Sequence, residues 1–315
     1  MSEPTPPESF TQRSRLLDHL LPGYPGTEHW RRVPATGQHY LDLGAGDPVL
    51  FLHGNPSWSY AWRKVLPVLA PQVRCLAPDL PGLGMSPGPE VLPPDPAARY
   101  QMQLDHLEAL HRHLVHEEQV PARGWTLVVH DWGGPLGIAW ALRNPGVVAR
   151  LVILNTIAFP WPQGYRLPFY LRWIRDYRPV AATVQATNIF ARAVVRAGVT
   201  TPLSAAERRA HLWPSAHRNG RRAVTEFVRA IPRHATDEAW QLLEPSQDAP
   251  DPRNLPMFIG WGMRDPVFTP LVLSEWDRRY PHARIRRYPG SGHFVMEDAA
   301  PELAVHIRDF LRGSR

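Results

Sequence analysis

Short apolar runs and segments of helical spacing take turns along most of the chain. HYLDLG from His39, PVLFLHG from Pro48, RCLAPDLPG from Arg74 and TLVVHD from Thr126 are rich in strand formers and end in turn residues. RLVILNT from Arg150, PMFIGWG from Pro256 and RIRRYPG from Arg284 continue the series. Each is too short for a helix and is read as a strand. Between them, 99–116 and 135–143 place apolar residues at helical spacing. Strands alternating with helices predict an α/β fold, with a largely parallel sheet covered on both faces.

The alternation stops between about 157 and 252, where aromatic and Arg-rich stretches such as YRLPFYLRWIRDY replace the strand pattern. Strands then resume, so a single sheet is completed from both sides of this block. The organisation expected is a core built from 1–156 and 253–315, with a helical cap at 157–252 and PSQDAPDPRN leading back to the sheet. A separate helical domain fits less well, because it would leave the sheet divided. No internal repeat is visible, and PGPEVLPPDP after Ser86 reads as a surface loop.

Composition narrows the function classes. With 315 residues and 43% hydrophobic content, the chain can bury a large core. No apolar run approaches the ~20 residues of a membrane helix. The polar, proline-rich MSEPTPPESFTQ start lacks the charged-then-apolar order of a secretory signal, so a cytoplasmic location is expected. Cys75 is the single cysteine, which excludes an internal disulfide and a cysteine-rich metal site. The net charge of +6 comes from arginines spread along the chain, with Lys64 the only lysine. That spread argues against a phosphate-binding patch, and no nucleic-acid partner is expected.

Four loops follow strands and would open on one edge of a parallel sheet, where ligand crevices form. They are HGNPSW, DWGGP, RDPVF and GSGHF. TLVVHDWGGPLG has the strand, tight turn and helix of a nucleophile elbow, a setting that usually holds Ser in G-x-S-x-G. Here the turn residue is Asp131. A carboxylate can displace a leaving group from sp³ carbon and form an alkyl ester. Gly133 and Gly134 would let the helix start crowd the turn. The structural alternative for Asp131 is a helix N-cap.

His293, after the last strand, is the candidate base, and Asp265, after PMFIGWG, the acid that orients it. This gives the chain order nucleophile, acid, His. A turn Asp before Pro266 is the plainer reading of Asp265. The competing acid position after RLVILNT holds Thr156, Ile157 and Ala158, none of them acidic. Glu297 and Asp298 read as helix-start charges. Asn55 and Trp132 sit where an oxyanion hole is assembled, and their side chains add two N–H donors for a departing anion. Core packing is the plainer reading of Trp132.

In these motifs the chain resembles the haloalkane dehalogenase family of α/β hydrolases. HGNPSWSYAWR, APDLPGLGMS, VVHDWGGPLG, WGMRDPVF and GSGHFVMEDAAPE match in order, over nearly the whole chain outside the N-terminal tail. The resemblance implies an α/β-hydrolase fold with Asp131 as nucleophile, His293 as base, Asp265 as acid, and Asn55 with Trp132 as halide clamp. HDWGG is also similar to epoxide hydrolases, which use cap tyrosines to protonate the opening ring. Tyr165, Tyr170 and Tyr177 are the candidates for that alternative. Within the cap, LVILNTIAFPWP, NIFARAVVRAGVT and EFVRAIPR resemble the β-lactone decarboxylases of long-chain olefin biosynthesis, a branch of the same family.

The β-lactone branch is the preferred reading. It implies a small apolar or long-chain substrate, olefin and CO2 as products, and assembly with other olefin-biosynthesis enzymes. The dehalogenase reading implies alcohol and halide instead, with water activated by His293. Neither implies a metal or organic cofactor. Trp161, Phe169, Trp173 and Phe190 argue for an apolar pocket or for ordinary packing. A binding protein that kept the fold without turnover is the reading from a different class, and the presence of all five site residues argues against it.

Overall fold

The computed structural model describes residues 20–313 apart from 92, 94, 235 and 245–250. The N-terminal MSEPTPPESFTQ stretch and most of PSQDAPDPRN therefore lie outside the described residues. All seven apolar runs form strands: β2 (His39–Leu43), β3 (Pro48–Leu52), β4 (Arg74–Pro78), β5 (Trp125–His130), β6 (Val148–Leu154), β7 (Met257–Gly262) and β8 (Arg284–Tyr288). An edge strand, β1 (Trp30–Arg32), precedes them. Its three partly or fully exposed residues are too few to show an alternation in the sequence.

The strand order is β1-β2-β4-β3-β5-β6-β7-β8. Only the β1–β2 and β2–β4 pairings are antiparallel. From β3 the chain turns to β4 on one side and then returns to β5 on the other. That reversal is the switch point at which such sheets open a crevice. Phe51 pairs with Val128, Val128 with Val152 and Ile153 with Ile259. Every residue of β3, β5 and β7 is buried, as strands covered on both faces require. β8 lies at the edge, and its exposed arginines discourage further pairing.

Side chains alternate between two cores. Leu127 and Val129 join a cluster with Leu104 and Leu107 of α2 (Pro96–His116), Leu136 and Trp140 of α3 (Gly133–Arg143) and Trp276 of a later helix. Val128 faces the other way, toward a cluster that includes Leu66 and Leu69 of α1 (Leu66–Leu69). Asp95 caps α2 by accepting the Ala98 N–H at 2.8 Å, and Pro96 begins it.

Between β6 and β7 stand α4 (Phe169–Asp176), α5 (Arg178–Thr187), α6 (Ile189–Ala197), α7 (Ala205–His211), α8 (Arg218–Arg229) and α9 (Glu238–Gln241). Buried Leu171 and Ile174 of α4 pack toward Val224, Phe227 and Val228 of α8. The chain closes with α10 (Pro270–Arg279), α11 (Val295–Asp298) and α12 (Ala300–Gly313).

A buried charge cluster ties α7 to the core, and it corrects the expectation that Glu297 and Asp298 merely start a helix. Arg63 donates to Glu207 at 2.7 Å and to both oxygens of Glu297, one of them at 3.1 Å. His211 donates to Glu297 at 2.8 Å, and Lys64 lies 2.8 Å from it. Burial alone would raise the Glu297 pKa, but the bond from His211 and the charge on Arg63 bring it down to about 2. Burial lowers the His211 pKa, against the opposing pull of Glu297. Asp298 accepts the N–H groups of Gly292 and Thr200, so it braces the loop that carries His293.

Arg63→Ala leaves Glu297 buried with a main cation missing. The expected loss is about 3–5 kcal/mol, read as a lower urea midpoint with an unchanged slope. A loss below about 1 kcal/mol, the size of an exposed pair, would show that water already screens this cluster.

Candidate active site

β5 ends in the elbow. Asp131 has a φ of 50°, a left-handed conformation that non-glycine residues adopt at a cost of about 1–3 kcal/mol. Its N–H donates to the Asn155 carbonyl at 3.2 Å, and its own carbonyl accepts from Gly134 N–H at 3.0 Å and Thr156 Oγ1 at 2.5 Å. The crowding expected at Gly133 and Gly134 comes from neighbouring strand ends. A Cβ on Gly133 would lie 2.1 Å from the Leu52 carbonyl oxygen, and one on Gly134 would lie 1.9 Å from Thr156 Oγ1. Glycine lets three loop ends converge on the turn.

The four predicted loops meet. His293 Nδ1–H donates to Asp265 Oδ2 at 2.8 Å, and His293 Nε2 stands 3.9 Å from Asp131 Oδ2. Asp265 is 3% exposed and is also a turn residue, as the plainer reading had it. Its Oδ1 accepts the N–H groups of Val267 at 2.8 Å and Phe268 at 3.0 Å. The turn bonds fix one oxygen, and His293 takes the other.

Asn55 and Trp132 flank the carboxylate. The Asn55 N–H donates to Asp131 Oδ1 at 2.7 Å, and the Trp132 N–H also bonds the carboxylate. The Asn55 side chain is partly committed elsewhere, since its Nδ2 donates to the Val224 carbonyl of α8 at 3.1 Å. Its second N–H remains for an anion. The Trp132 indole packs on Phe227 of α8 with ring centroids 5.4 Å apart, and its N–H takes no protein acceptor among the described residues. An elbow carboxylate held by two backbone amide donors, with Oδ2 facing a histidine, can attack carbon and then hold the resulting ester.

Above Asp131 lies a cavity of about 350 Å³, lined by Trp161, Leu171, Phe190, Val228, Trp240 and Phe268 among others. Of the cap tyrosines, Tyr165 spends its hydroxyl on the Val267 carbonyl at 2.7 Å, and Tyr177 is exposed. Tyr170 alone lines the cavity. Phe169 and Trp173, expected either as pocket aromatics or as ordinary packing, face solvent instead. Helix α4 turns Tyr170 and Leu171 inward, and the four-residue step from 169 to 173 puts both of those rings on its outer side.

Two supporting residues were not found in the sequence. Asn155 Nδ2 donates to Asp265 Oδ2 and to the Gly262 carbonyl, each at 3.0 Å, while its Oδ1 accepts from Gly262 N–H at 2.8 Å. It ends β6 with a φ of 34°, and an Asn at a strand end is the residue type that tolerates this conformation. Attention to acids alone passed over it. Buried His130 donates through Nε2 to the His293 carbonyl at 2.9 Å. Burial and the neighbouring His293 lower its pKa well below the usual range.

A family model for the α/β hydrolase fold matches residues 47–300, and the chain belongs to that family. Over 298 residues it is 37% identical to the cis-3-alkyl-4-alkyloxetan-2-one decarboxylase of Xanthomonas campestris, covering 92% of this chain and 97% of that protein. Over 300 residues it is 35% identical to the protein of the same name from Shewanella oneidensis, covering 94% and 91%. Among solved structures it is similar to haloalkane dehalogenase DbeA of Bradyrhizobium elkani, with a TM-score of 0.76, 26% identity and coverage of 91% and 97%. Both resemblances read from the motifs are thereby borne out.

Burial raises the Asp131 pKa to about 6, against the opposing pull of His293 and the two backbone donors. Burial works against charge on His293, but Asp265 and then Asp131 raise its pKa. A carboxyl raised on folding costs stability once pH exceeds its folded pKa, and costs nothing below its unfolded pKa. Two pKa units at ~1.4 kcal/mol each make the Asp131 carboxylate destabilising by roughly 2–3 kcal/mol at pH 8. Asp131→Asn is therefore expected to be more stable than the parent at pH 8 by urea unfolding, with the gain shrinking to nothing near pH 4. Equal stability at both pH values would show that this carboxylate is not strained by burial.

Proposed function

We propose that this chain opens a long-chain cis-3,4-dialkyl β-lactone and releases a cis-olefin and CO2. The likeness to the two oxetanone decarboxylases over more than nine-tenths of the chain carries this reading. Residues 157–252 would serve as the cap over the site. Asp131 Oδ2 attacks the ring carbon bearing oxygen, breaking the C–O bond and forming an enzyme ester while a carboxylate separates. Loss of CO2 then sends its electron pair into the new C=C bond and expels Asp131 as carboxylate. Inversion in the first step followed by anti elimination in the second delivers the cis alkene.

The cavity chemistry supports the decarboxylation. An ionised carboxylate among Leu171, Phe190, Val228 and Phe268 is costly, and departure as neutral CO2 removes the cost. Asn55 and Trp132 would stabilise the separating charge. Asp265 and His293 would stabilise the returning Asp131 carboxylate. The same reading implies assembly with other olefin-biosynthesis enzymes, since a strained lactone must be supplied.

A haloalkane dehalogenase is the second reading, favoured by the free Trp132 indole N–H and the structural likeness to DbeA. There His293 would activate water against the ester. An epoxide hydrolase has less support, because Tyr165 is hydrogen-bonded away and Tyr177 faces solvent. The convergence of all five site residues argues against a receptor without turnover.

A product assay with a long-chain cis-β-lactone, 1,2-dibromoethane and a styrene-type epoxide separates these readings. Olefin and CO2 from the lactone are expected, and release of halide or diol alone would overturn the proposal. Asp131→Ala should abolish turnover, and a parental rate would remove the nucleophile assignment. Trp132→Phe keeps most of the packing while deleting one donor to developing charge. Turnover is expected to fall on the order of 100-fold to 1000-fold with little change in melting temperature. An unchanged rate with a lowered melting temperature would make Trp132 a packing residue only.

A further inference from the structure

The outer side of the cap carries an apolar face that the proposed chemistry does not use. Phe169 is 60% exposed and Trp173 54%, and their four-residue spacing places them on one side of α4, with Tyr177, 59% exposed, just beyond its end. The rings of Phe169 and Trp173 meet edge to face at 5.7 Å, so they form a patch and not scattered side chains. The opposite side of the same helix is buried or faces the cavity through Tyr170 and Leu171. Helix α4 is thus the wall between solvent and the site.

The patch adjoins the cavity opening. Along α6, Ile189, Ala193 and Ala197 are exposed at the same four-residue spacing, and the two alanines also line the cavity. The opening therefore runs along this helix face. Phe169 touches cavity-lining Tyr170 edge to face, with ring centroids 5.8 Å apart.

Charge selects what covers this face. Between 157 and 198 the chain has six arginines and one acid, Asp176. Arg175 already engages that acid at 2.6 Å. Arg166, Arg172, Arg178, Arg192 and Arg196 are exposed, and none forms an ion pair among the described residues. Exposed Trp, Phe and Tyr interleaved with unpaired arginines are the composition of a helix that lies in a membrane interface. The rings enter the headgroup layer and the arginines meet anionic lipids. No helix among the described residues is long and apolar enough to cross a membrane.

We propose that α4 and α6 dock the cap onto an anionic lipid surface, with the cavity opening facing the bilayer. The benefit rests on the apolar-substrate reading, since a long-chain substrate and its hydrocarbon product would partition into that lipid. Docking itself is measured without substrate, so its failure and the failure of the proposed function are distinguishable.

The test is flotation of the full chain with phosphatidylglycerol–phosphatidylcholine vesicles at low salt, beside vesicles of phosphatidylcholine alone. Binding to the anionic vesicles is expected, with release at high salt because exposed charges are screened beyond a few ångströms. Phe169→Ser with Trp173→Ser should weaken binding at least about ten-fold, the loss expected for removing two interfacial aromatics. Melting temperature and turnover of a water-soluble short-chain lactone should stay at parental values. Arg172→Glu with Arg192→Glu is the second variant, and it should abolish binding to anionic vesicles. Parental protein that stays off the anionic vesicles would overturn the proposal, including where an acidic protein is the real partner. So would either double variant floating as well as the parent.

Discussion

The site depends on one backbone constraint: Asp131 must leave β5 in a left-handed conformation, with its carboxylate projecting above the sheet. The conformation is uphill, and the surrounding structure holds it. The Asn155 carbonyl takes its N–H, while Gly134 and Thr156 hold its carbonyl. The strands on either side of β5 are held in fixed register, so these bonds cannot relax independently. The glycines at 133 and 134 contribute by what they omit. Any side chain there would push β3 and the end of β6 away from the turn.

With the elbow set, hydrogen bonding decides which of two buried carboxylates can react. Asp265 has both oxygens occupied, by two backbone N–H groups on one side and by Asn155 and His293 on the other. It is suited to orienting a histidine and has no lone pair aimed at the cavity. Asp131 has Oδ1 held by the Asn55 N–H and Oδ2 facing His293 across 3.9 Å and the cavity. Its raised pKa follows from that under-solvated state. The proposed roles of nucleophile and acid thus follow from unequal saturation of the same functional group.

The helices between β6 and β7 are coupled to this arrangement at two points. Val224 in α8 accepts from the Asn55 side chain, and the Phe227 ring lies against Trp132. On the far side, Glu297 receives Arg63 from the core and His211 from α7, four residues after His293. Movement of these helices would therefore be felt by Asn55, Trp132 and the histidine loop together.

The sequence by itself determined the strands and much of the site. Seven runs bounded by turn residues became seven strands, and β3, β5 and β7 are near-continuously apolar because they are covered on both faces. Asp131, Asp265 and His293 were legible because each follows such a strand, and the ends of parallel strands share one edge of the sheet. What depended on partners distant in the chain was not legible. β1 is an edge defined by pairing with β2, and the Asn155 side chain finds its carboxylate in Asp265, 110 positions away. Glu297 looked like a helix-start charge until Arg63, 234 positions away, was seen beside it. Phe169 and Trp173 matched pocket aromatics by type, but the direction of α4 turned them to solvent. Residue type and strand order are local properties that sequence carries, whereas burial of a polar group and the facing of a helix are set by whichever elements pack against it.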